Sequence, residues 1–333
     1  MSEFKKPLVS LIVTCHNLGQ YLPQCIKSIE NQTYKNFEII IVDDFSDEKT
    51  KKIIDKNFKN KSNVLKFFNS NEIRVIETKK NEGQLGSFLL GLKIARGEFV
   101  CMIDADDVLL EDYLATHLQV HMRTNVAFTS ASACEIDENS TLHSLCSLSS
   151  SMFENRQMKL KKENVSEIFE ISNNDFEVKI LNQKKIPFGT WAWSPSSSAM
   201  MRKSALEFLL LFKETEHYKT GADKLVFSFL HLIGGSALIS QTLYAYRRHN
   251  NNQSESNPLI GNFRYLKSSQ IKRIIEWNKL IRLDVLRFIR SNYSYFCARL
   301  NPMNTKRLIF SVIFSFNFLT IKKALKALVF KIC

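Results

Sequence analysis

The first 105 residues alternate between short apolar runs and segments with helical spacing, and this alternation strongly restricts the fold. The apolar runs are rich in β-branched residues, which favours strands, while apolar residues three or four positions apart favour helices. Strands are predicted at residues 9–14, 37–42, 74–78 and 98–103, and helices at 21–30, from Lys49 onward and at 87–95. Such alternation builds a mainly parallel sheet flanked by helices, so the predicted class is α/β.

The fourth predicted strand ends in three carboxylates within four positions, Asp104, Asp106 and Asp107. Carboxylates this close repel one another and raise one another's pKa, so a bound cation best explains the cluster. Their oxygen atoms suit Mg²⁺ or Mn²⁺. Residues 109–118 have helical spacing, which places the acids on a strand-to-helix turn, where open α/β sheets bind ligands. The alternative is that Asp106 or Asp107 only caps that helix.

Beyond residue 120 the alternation weakens. A strand is predicted at 126–130, a helix from Lys203, a helix at 222–233 and a strand at 237–246. Residues 139–186 are polar and rich in serine and lysine, and we expect a mobile insertion or lid there because long irregular segments are usually functional or disordered. The predicted units are therefore residues 1–120, residues 121–255 with the insertion, and a helical tail at 256–333.

The tail accounts for the whole net charge of +13. Residues 264–333 contain fifteen lysines and arginines but only two acids, and the remaining chain is neutral. Because Phe, Leu and Ile are interspersed with the basic residues, we expect the tail to bind an anionic membrane surface. The alternatives are a solvated helical cap on the domain and an RNA-binding tail. No known nucleic-acid module accompanies the charge, so no nucleic-acid partner is expected.

The cysteines and apolar runs predict a cytoplasmic location. Seven scattered cysteines without a Cys-x-x-Cys pair are typical of reduced thiols. The apolar run at 8–13 is too short for a secretory signal, and the longest run, at 308–321, is shorter than the roughly 20 residues that span a bilayer. We therefore expect a protein that lies on the inner face of the cytoplasmic membrane without crossing it.

The acidic cluster also indicates the kind of reaction. The chain has no glycine-rich phosphate loop, so a metal with histidine and arginine side chains would have to neutralise the phosphates of a bound nucleotide. A divalent cation stabilises the charge that develops on a departing diphosphate. This chemistry favours group transfer over redox reactions.

Six ordered segments of the first 120 residues resemble the N-terminal half of a family two glycosyltransferase with the GT-A fold. They are VSLIVTCHN from Val9, SIENQTY from Ser28, FEIIIVDDFSD from Phe37, NEG from Asn81, ARGEF from Ala95 and DADD from Asp104. The resemblance implies an inverting enzyme that uses a nucleotide sugar, commonly a UDP-sugar. The acceptor that we expect is a glycan or a lipid-linked glycan.

The resemblance also implies roles for individual residues of this half. Thr14, His16 and Asn17 would lie beside the base and ribose, and Asp44 would accept the imino hydrogen of uracil. An alternative for Asp44 is an ordinary turn-capping role. Asp104 and Asp106 would also face the nucleotide. The cation would be bound by Asp106 and by Asp107, with Asp107 as the main ligand.

The second half resembles the family more loosely. Asp223 stands where the family keeps its catalytic base, although the acid that usually precedes the base is replaced by Ala222. A carboxylate at a helix start is also an ordinary cap. His249, within a Tyr-Arg-Arg-His segment, would approach the metal or the diphosphate. Trp191 and Trp193 lie on one face if their segment is extended, which suggests a stacking platform for an acceptor sugar, with burial in the core as the alternative.

Two other classes of function remain open from the sequence. A sugar nucleotidyltransferase would use a similar sheet and metal site, but residues 15–20 lack the glycine- and arginine-rich loop of that class. A non-catalytic glycan-binding scaffold derived from a transferase is favoured by Ala222. The intact acidic cluster opposes a scaffold, because a protein that only binds glycans has no use for a metal site.

Overall fold

The structure is a computed structural model that describes residues 6–59, 73–144, 165–170, 176–181, 188, 191–249, 252, 259–260, 263–264 and 268–314. Its strands are β1 (Val9–Cys15), β2 (Phe37–Asp43), β3 (Ile73–Glu77), β4 (Phe99–Asp104), β5 (Val108–Leu109), β6 (Phe128–Ile136), β7 (Leu142–Ser144), β8 (Val165–Glu170), β9 (Glu177–Leu181), β10 (Ala199–Arg202), β11 (Ser236–Arg247), β12 (Leu259–Ile260) and β13 (Phe263–Arg264). Its α-helices are α1 (Leu22–Glu30), α2 (Glu48–Ile54), α3 (Gly83–Ile94), α4 (Tyr113–Arg123), α5 (Lys203–Leu206), α6 (Ala222–Gly234), α7 (Ser268–Ser291), α8 (Tyr293–Leu300) and α9 (Pro302–Phe314).

One large mixed sheet organises the molecule. Its strands follow the order β3-β2-β1-β4-β10-β6-β11-β9-β8, and β5 and β7 pair with β11 and β6. The four N-terminal strands are parallel, as the alternation of strands and helices predicts. From β10 onward most pairs are antiparallel, while β6 and β11 form a further parallel pair. The chain is therefore a mixed α/β fold whose predicted parallel half is confirmed.

The central strands are buried on both faces, which explains their continuous apolar sequence. Successive side chains of a strand point to opposite faces, so Ile12 packs in one core cluster while Leu11 and Val13 pack in the other. The first cluster also receives side chains from α3 and α6, and the second from α1 and α4. Helices thus cover both faces of the sheet.

The register of the parallel strands brings their polar ends to one edge. Thr14 of β1 lies opposite Val42 of β2 and Asp104 of β4, and Cys15 lies opposite Asp43. The turns that follow these strands therefore meet at the carboxyl edge of the sheet, where ligands of open α/β sheets bind.

The segment after the acidic cluster differs from the prediction of a helix over 109–118. Val108 and Leu109 form β5 instead, and they pair with Ala245 and Tyr244 of β11. The helix α4 begins only at Tyr113, and its N-cap residue is Asp112. The alternative in which Asp106 or Asp107 caps the following helix is therefore wrong.

Part of the predicted insertion belongs to the sheet. Within residues 139–186, the described strands are β7, β8 and β9, and β9 pairs with β11. Apart from residues 139–141 and 176, the rest of the insertion lies outside the described residues. Two neighbouring predictions also change: the strand expected at 126–130 extends to Ile136, and the helix from Lys203 ends at Leu206 and continues as the 3₁₀ turn Glu207–Leu211.

The tail helices pack on the body of the protein through one continuous apolar core. Their buried side chains in this core are Ile281, Val285, Phe288, Ile289, Phe296, Leu308 and Val312. The ring of Phe288 lies 5.3 Å from that of Phe212 and 5.7 Å from that of Phe229, centroid to centroid. The helical extension is therefore present as predicted, and much of its apolar face is covered by the domain.

No helix among the described residues combines the length and the apolar character needed to cross a membrane.

Candidate active site

A cavity of about 770 Å³ opens at the carboxyl edge of the sheet. Eight of the predicted site residues line it together: Thr14, His16, Asn17, Asp44, Asp104, Asp106, Asp223 and His249. They come from the ends of β1, β2 and β4, from the start of α6 and from the segment after β11. Asp107, Trp191 and Trp193 are not among the lining residues.

The carboxylate of Asp44 holds the loop that starts α3. Its Oδ1 accepts hydrogen bonds from the backbone N–H of Glu82 at 2.7 Å and from the Thr78 hydroxyl at 3.2 Å, and its Oδ2 accepts one from the N–H of Gly83 at 2.8 Å. The two backbone N–H groups are donors that a helix N-terminus leaves without intrahelical partners. Asp44 thus holds the start of a helix that is distant in sequence, which differs from the local turn-capping role that we considered as an alternative. Asp44 also lines the cavity, and uracil recognition stays a prediction.

His16 is oriented by the same turn. Its Nδ1 donates to the backbone carbonyl of Asp44 at 2.6 Å, because a carbonyl oxygen can only accept. Its Nε2 is left to accept from the side-chain amides of Asn17 and Asn81, each at 3.3 Å. Asn17 has a left-handed backbone with φ of 57°, which asparagine tolerates better than most residues. The turn therefore presents an imidazole ring and two amides to the cavity.

Asp104 is held by two residues that the sequence analysis did not assign. Gln84 Nε2 donates to its Oδ1 at 3.0 Å, and the Ser196 hydroxyl donates to its Oδ2. Burial, and secondly the charge of Asp106, raises the pKa of Asp104 to about 7. Gln84 Oε1 also accepts from the N–H of Ala222 at 3.0 Å. One amide thus links the acidic cluster to the helix that carries Asp223.

Asp106 and His249 form the polar pair on the other side of the cavity. Asp106 Oδ2 lies 2.9 Å from His249 Nε2, and the His249 ring lies 5.0 Å from that of Tyr21. Beneath them, fully buried Arg247 donates from Nε to the Asp106 carbonyl at 2.8 Å and from Nη2 to Gln24 Oε1 at 2.7 Å. These contacts fix the backbone under the acidic cluster.

Asp107 points away from the cavity. Its side chain is 1% exposed, and its Oδ1 accepts from the backbone N–H of Arg247 at 3.0 Å. Burial, together with the charges of Asp106 and Asp104, raises the pKa of Asp107 well above its usual range. Asp106 lines the cavity whereas Asp107 does not, so the role of Asp107 as the main metal ligand stays a prediction that its burial does not favour.

Asp223 lies in the first turn of α6 and lines the same cavity as Asp104 and Asp106. Gly221, at the N-cap, has φ of 66°, and the Asp223 carboxylate accepts from the N–H of Lys224 at 2.8 Å. Burial raises the pKa of Asp223 to about 6 and lowers that of Lys224 to about 8. A carboxylate with a pKa near 6 is ionised at neutral pH and is a stronger base than an ordinary aspartate.

The two tryptophans belong to the core and not to the cavity. Trp193 is 2% exposed, its Nε1 donates to the Ser236 hydroxyl at 2.9 Å, and its ring lies 5.3 Å from that of Phe128. Half-buried Trp191 stacks on Phe227 with ring centroids 5.9 Å apart. A platform for an acceptor sugar needs exposed ring faces. The burial of Trp193 favours the core alternative that we considered, whereas for half-buried Trp191 the platform stays a prediction.

We expected arginine side chains to neutralise phosphates, but the lining of the cavity does not include Arg247 or Arg248. Arg247 is fully buried under the cavity, and Arg248 forms an ion pair with Glu135 at 2.8 Å. The basic residue that lines the cavity is Lys219, whose Cα would lie 2.4 Å from a Cβ on Gly83. Gly83 has φ of 74°, so this close approach and this backbone both require glycine. The Asn-Glu-Gly segment was a signal for this loop, whereas nothing in the sequence pattern pointed to Lys219.

Comparison with known proteins shows the family of this chain. Residues 10–207 match the model of glycosyl transferase family 2. This is more than half of the chain, and the chain therefore belongs to glycosyl transferase family 2. Asp223 and His249 lie beyond the matched residues, so their roles stay predictions, and both residues line the cavity.

Individual relatives are similar over shorter stretches. Glycosyltransferase GlyG of Streptococcus pneumoniae is 32% identical over 112 residues, 34% of each chain. GalNAc(5)-diNAcBac-PP-undecaprenol beta-1,3-glucosyltransferase of Campylobacter jejuni is 37% identical over 113 residues, also 34% of each chain. The chain thus spans about a third of the length of these relatives.

A solved structure with a similar fold is mannosyltransferase PcManGT of Pyrobaculum calidifontis in complex with GDP-Man and Mn²⁺. It has a TM-score of 0.51 and 14% identity, and the match covers 92% of this chain and 79% of the other. At this identity the likeness supports the fold alone.

Proposed function

We propose that this protein is a metal-dependent inverting glycosyltransferase that moves a sugar from a nucleotide sugar, with UDP as the nucleotide, to a hydroxyl group of a glycan. The observation that carries the proposal is one cavity lined both by Asp104 and Asp106 at the end of β4 and by Asp223. A donor diphosphate beside Asp106 and an acceptor hydroxyl beside Asp223 would then share one space.

The residues fit a divalent cation whose coordination would be completed by the substrate. Asp106 offers a carboxylate oxygen, the kind of ligand that suits Mn²⁺ or Mg²⁺, and the imidazole Nε2 of His249 lies 2.9 Å from it. The part of the chain that the structure describes contains no group of three His, Cys, Asp or Glu side chains arranged to hold a metal alone. Mg²⁺ is often bound by one or two carboxylates together with substrate phosphates. The diphosphate of the donor would supply the remaining ligands.

The protein's own residues would perform the remaining steps. When bound, the cation stabilises the charge on the departing diphosphate. Asp223 takes the proton from the acceptor hydroxyl while that oxygen attacks the anomeric carbon from the face opposite the diphosphate. Attack from this side inverts the configuration at the anomeric carbon. Gln84 and Ser196 hold Asp104 in place beside the donor, and Lys219 adds positive charge at the cavity wall.

Nucleotide titration tests this proposal. We expect isothermal titration with UDP, GDP, CDP and TDP to give tight binding of UDP in the presence of Mn²⁺, and at least about tenfold weaker binding with EDTA. A preference for another nucleotide would remove the role of Asp44 in uracil recognition. If none of the four binds, the cavity is not a donor site and the scaffold hypothesis replaces the enzyme.

For the acceptor we propose a lipid-linked glycan at an anionic membrane surface. A relative of this chain is named as an enzyme that acts on a diphosphate-linked undecaprenol glycan. On α9, exposed Met303 and Ile313 lie on the same helix as exposed Lys306 and Arg307. Apolar side chains that insert beside basic residues are typical of helices that lie on anionic lipid.

Charge reversal on α9 tests the membrane proposal. We expect the full-length chain to sediment with vesicles containing phosphatidylglycerol, and a double variant with Lys306→Glu and Arg307→Glu to lose most of this binding. The matched control reverses Lys49 and Lys52, two exposed lysines of α2. Equal sedimentation of both double variants would contradict a specific role of α9.

A further inference from the structure

The tail helix α7 contacts the segment that leads to Asp223. Asp284 of α7 is fully buried, and its Oδ2 accepts hydrogen bonds from His217 Nδ1 at 2.8 Å and from the Tyr218 hydroxyl at 3.0 Å. Both donors belong to the 3₁₀ turn Thr215–Tyr218. Charge-assisted hydrogen bonds are among the stronger ones, so this one carboxylate binds the turn to the tail at two points.

A second contact between this segment and α7 lies three residues after Tyr218. Gly221 packs against Trp277 of α7, and a Cβ built on this glycine would lie 3.3 Å from Cζ2 of the indole ring. Gly221 is the N-cap residue of α6, and it has no side chain that could hold the first turn of that helix. The start of α6 is therefore supported by Trp277 of α7 and not by an N-cap side chain of its own.

The residues that follow Tyr218, up to and including Gly221, face the cavity. Lys219, Thr220 and Gly221 line it, and the Lys219 carbonyl accepts from the N–H of Gln84 at 3.0 Å. The segment 217–221 is thus held by α3 on one side and by α7 on the other. It ends two residues before Asp223, so a displacement of the segment would move the start of α6.

We propose that Asp284 is a positioning residue for Asp223, and that the tail therefore contributes to catalysis. The inference rests on the proposed function, in which Asp223 is the base. Asp284 does not touch the cavity; it acts through His217 and Tyr218, which fix the loop that presents Asp223. The contribution comes from the tail, outside residues 10–207 that match the family.

Hydrogen exchange of the full-length chain tests directly whether Asp284 holds the segment 217–221. In Asp284→Asn, and more strongly in Asp284→Leu, we expect the backbone amides of residues 217–224 to exchange about tenfold faster or more, because a buried charge-assisted contact is lost. The control is Glu207→Gln, which removes the charge from another contact between body and tail, the ion pair of Glu207 with Arg299 at 2.9 Å. Unchanged exchange in both Asp284 variants, or an equal increase in the control, would overturn the proposal.

Kinetics separate positioning from general support of the fold. For hydrolysis of UDP-glucose, we expect Asp284→Asn to lower kcat about tenfold with KM and UDP affinity unchanged, because a misplaced base slows the reaction without weakening donor binding. Glu207→Gln should leave kcat unchanged. An unaltered kcat, or a loss of kcat that is matched by a loss of UDP affinity, would contradict the positioning role. If the unsubstituted chain neither binds UDP nor turns over, the proposed function fails, while the exchange experiment still decides whether Asp284 holds the segment.

Discussion

Replacement of Asp223 by asparagine is expected to lower the rate of sugar transfer by about 10²–10⁴-fold while the affinity for UDP and Mn²⁺ stays the same. Asparagine has the size of aspartate and can still accept from the N–H of Lys224, but it cannot take a proton from the acceptor. Steady-state kinetics and isothermal titration on the same preparation measure the two quantities. Asp112→Asn is the matched control, because Asp112 also stands at a helix start but lies outside the cavity lining.

The pH dependence gives an independent check on the same residue. Since burial raises the pKa of Asp223 to about 6, the base is ionised above that pH and becomes protonated below it. We expect the transfer rate to fall about tenfold for each pH unit below 6. A rate that is unchanged in Asp223→Asn would remove the base assignment, and a joint loss of rate and UDP affinity would make Asp223 a structural residue.

The second large effect is expected from Asp106→Asn, which should weaken Mn²⁺-dependent binding of UDP by about 100-fold or more. Loss of a residue that only supports a ligand already costs about 10–100-fold in metal affinity, so loss of a ligand itself should cost at least as much. Titration of UDP with and without Mn²⁺ measures the effect. EDTA should reproduce it in the unsubstituted chain.

Asp107→Asn is the matched variant at the next position. Its amide oxygen can still accept from the N–H of Arg247. Burial and the charges of Asp106 and Asp104 raise the pKa of Asp107 and so already disfavour its ionised form, which means that a neutral amide changes little there. We expect UDP affinity to stay within about twofold of the original value, which is less than about 0.5 kcal/mol. If Asp107→Asn loses binding and Asp106→Asn keeps it, the original assignment of Asp107 as the main ligand is correct after all.

The N-terminal half of the fold was predictable from local patterns. β1 and β2 extend one residue beyond the predicted strands 9–14 and 37–42, and β4 is shifted by one residue from 98–103. The agreement is close because parallel strands buried on both faces need continuous apolar sequence. The same logic predicted that the polar residues after these strands would meet at one edge. Asp44, Asp104 and Asp106 do line one cavity there.

Predictions failed where a contact distant in sequence determines the local structure. Leu109 begins the segment 109–118 that fits a helical pattern, but with Val108 it forms β5 and pairs with Tyr244 and Ala245 of β11, which come more than 130 positions later. Trp191 and Trp193 share their packing with Phe227 of α6. Spacing within a segment carries no information about such partners.

The sequence by itself determined the family resemblance, the parallel half of the sheet and the presence of acids at its edge, since these follow from residue type and strand period. Only the tertiary structure decided which acids face the cavity. In the folded chain the Asp106 carboxylate contacts His249, and the Asp107 carboxylate accepts from the backbone N–H of Arg247, which β11 supplies on one side of the turn. The tertiary structure also placed Asp284 of the tail under the segment that leads to Asp223, since burial of the apolar faces of α7–α9 brings that carboxylate to the body.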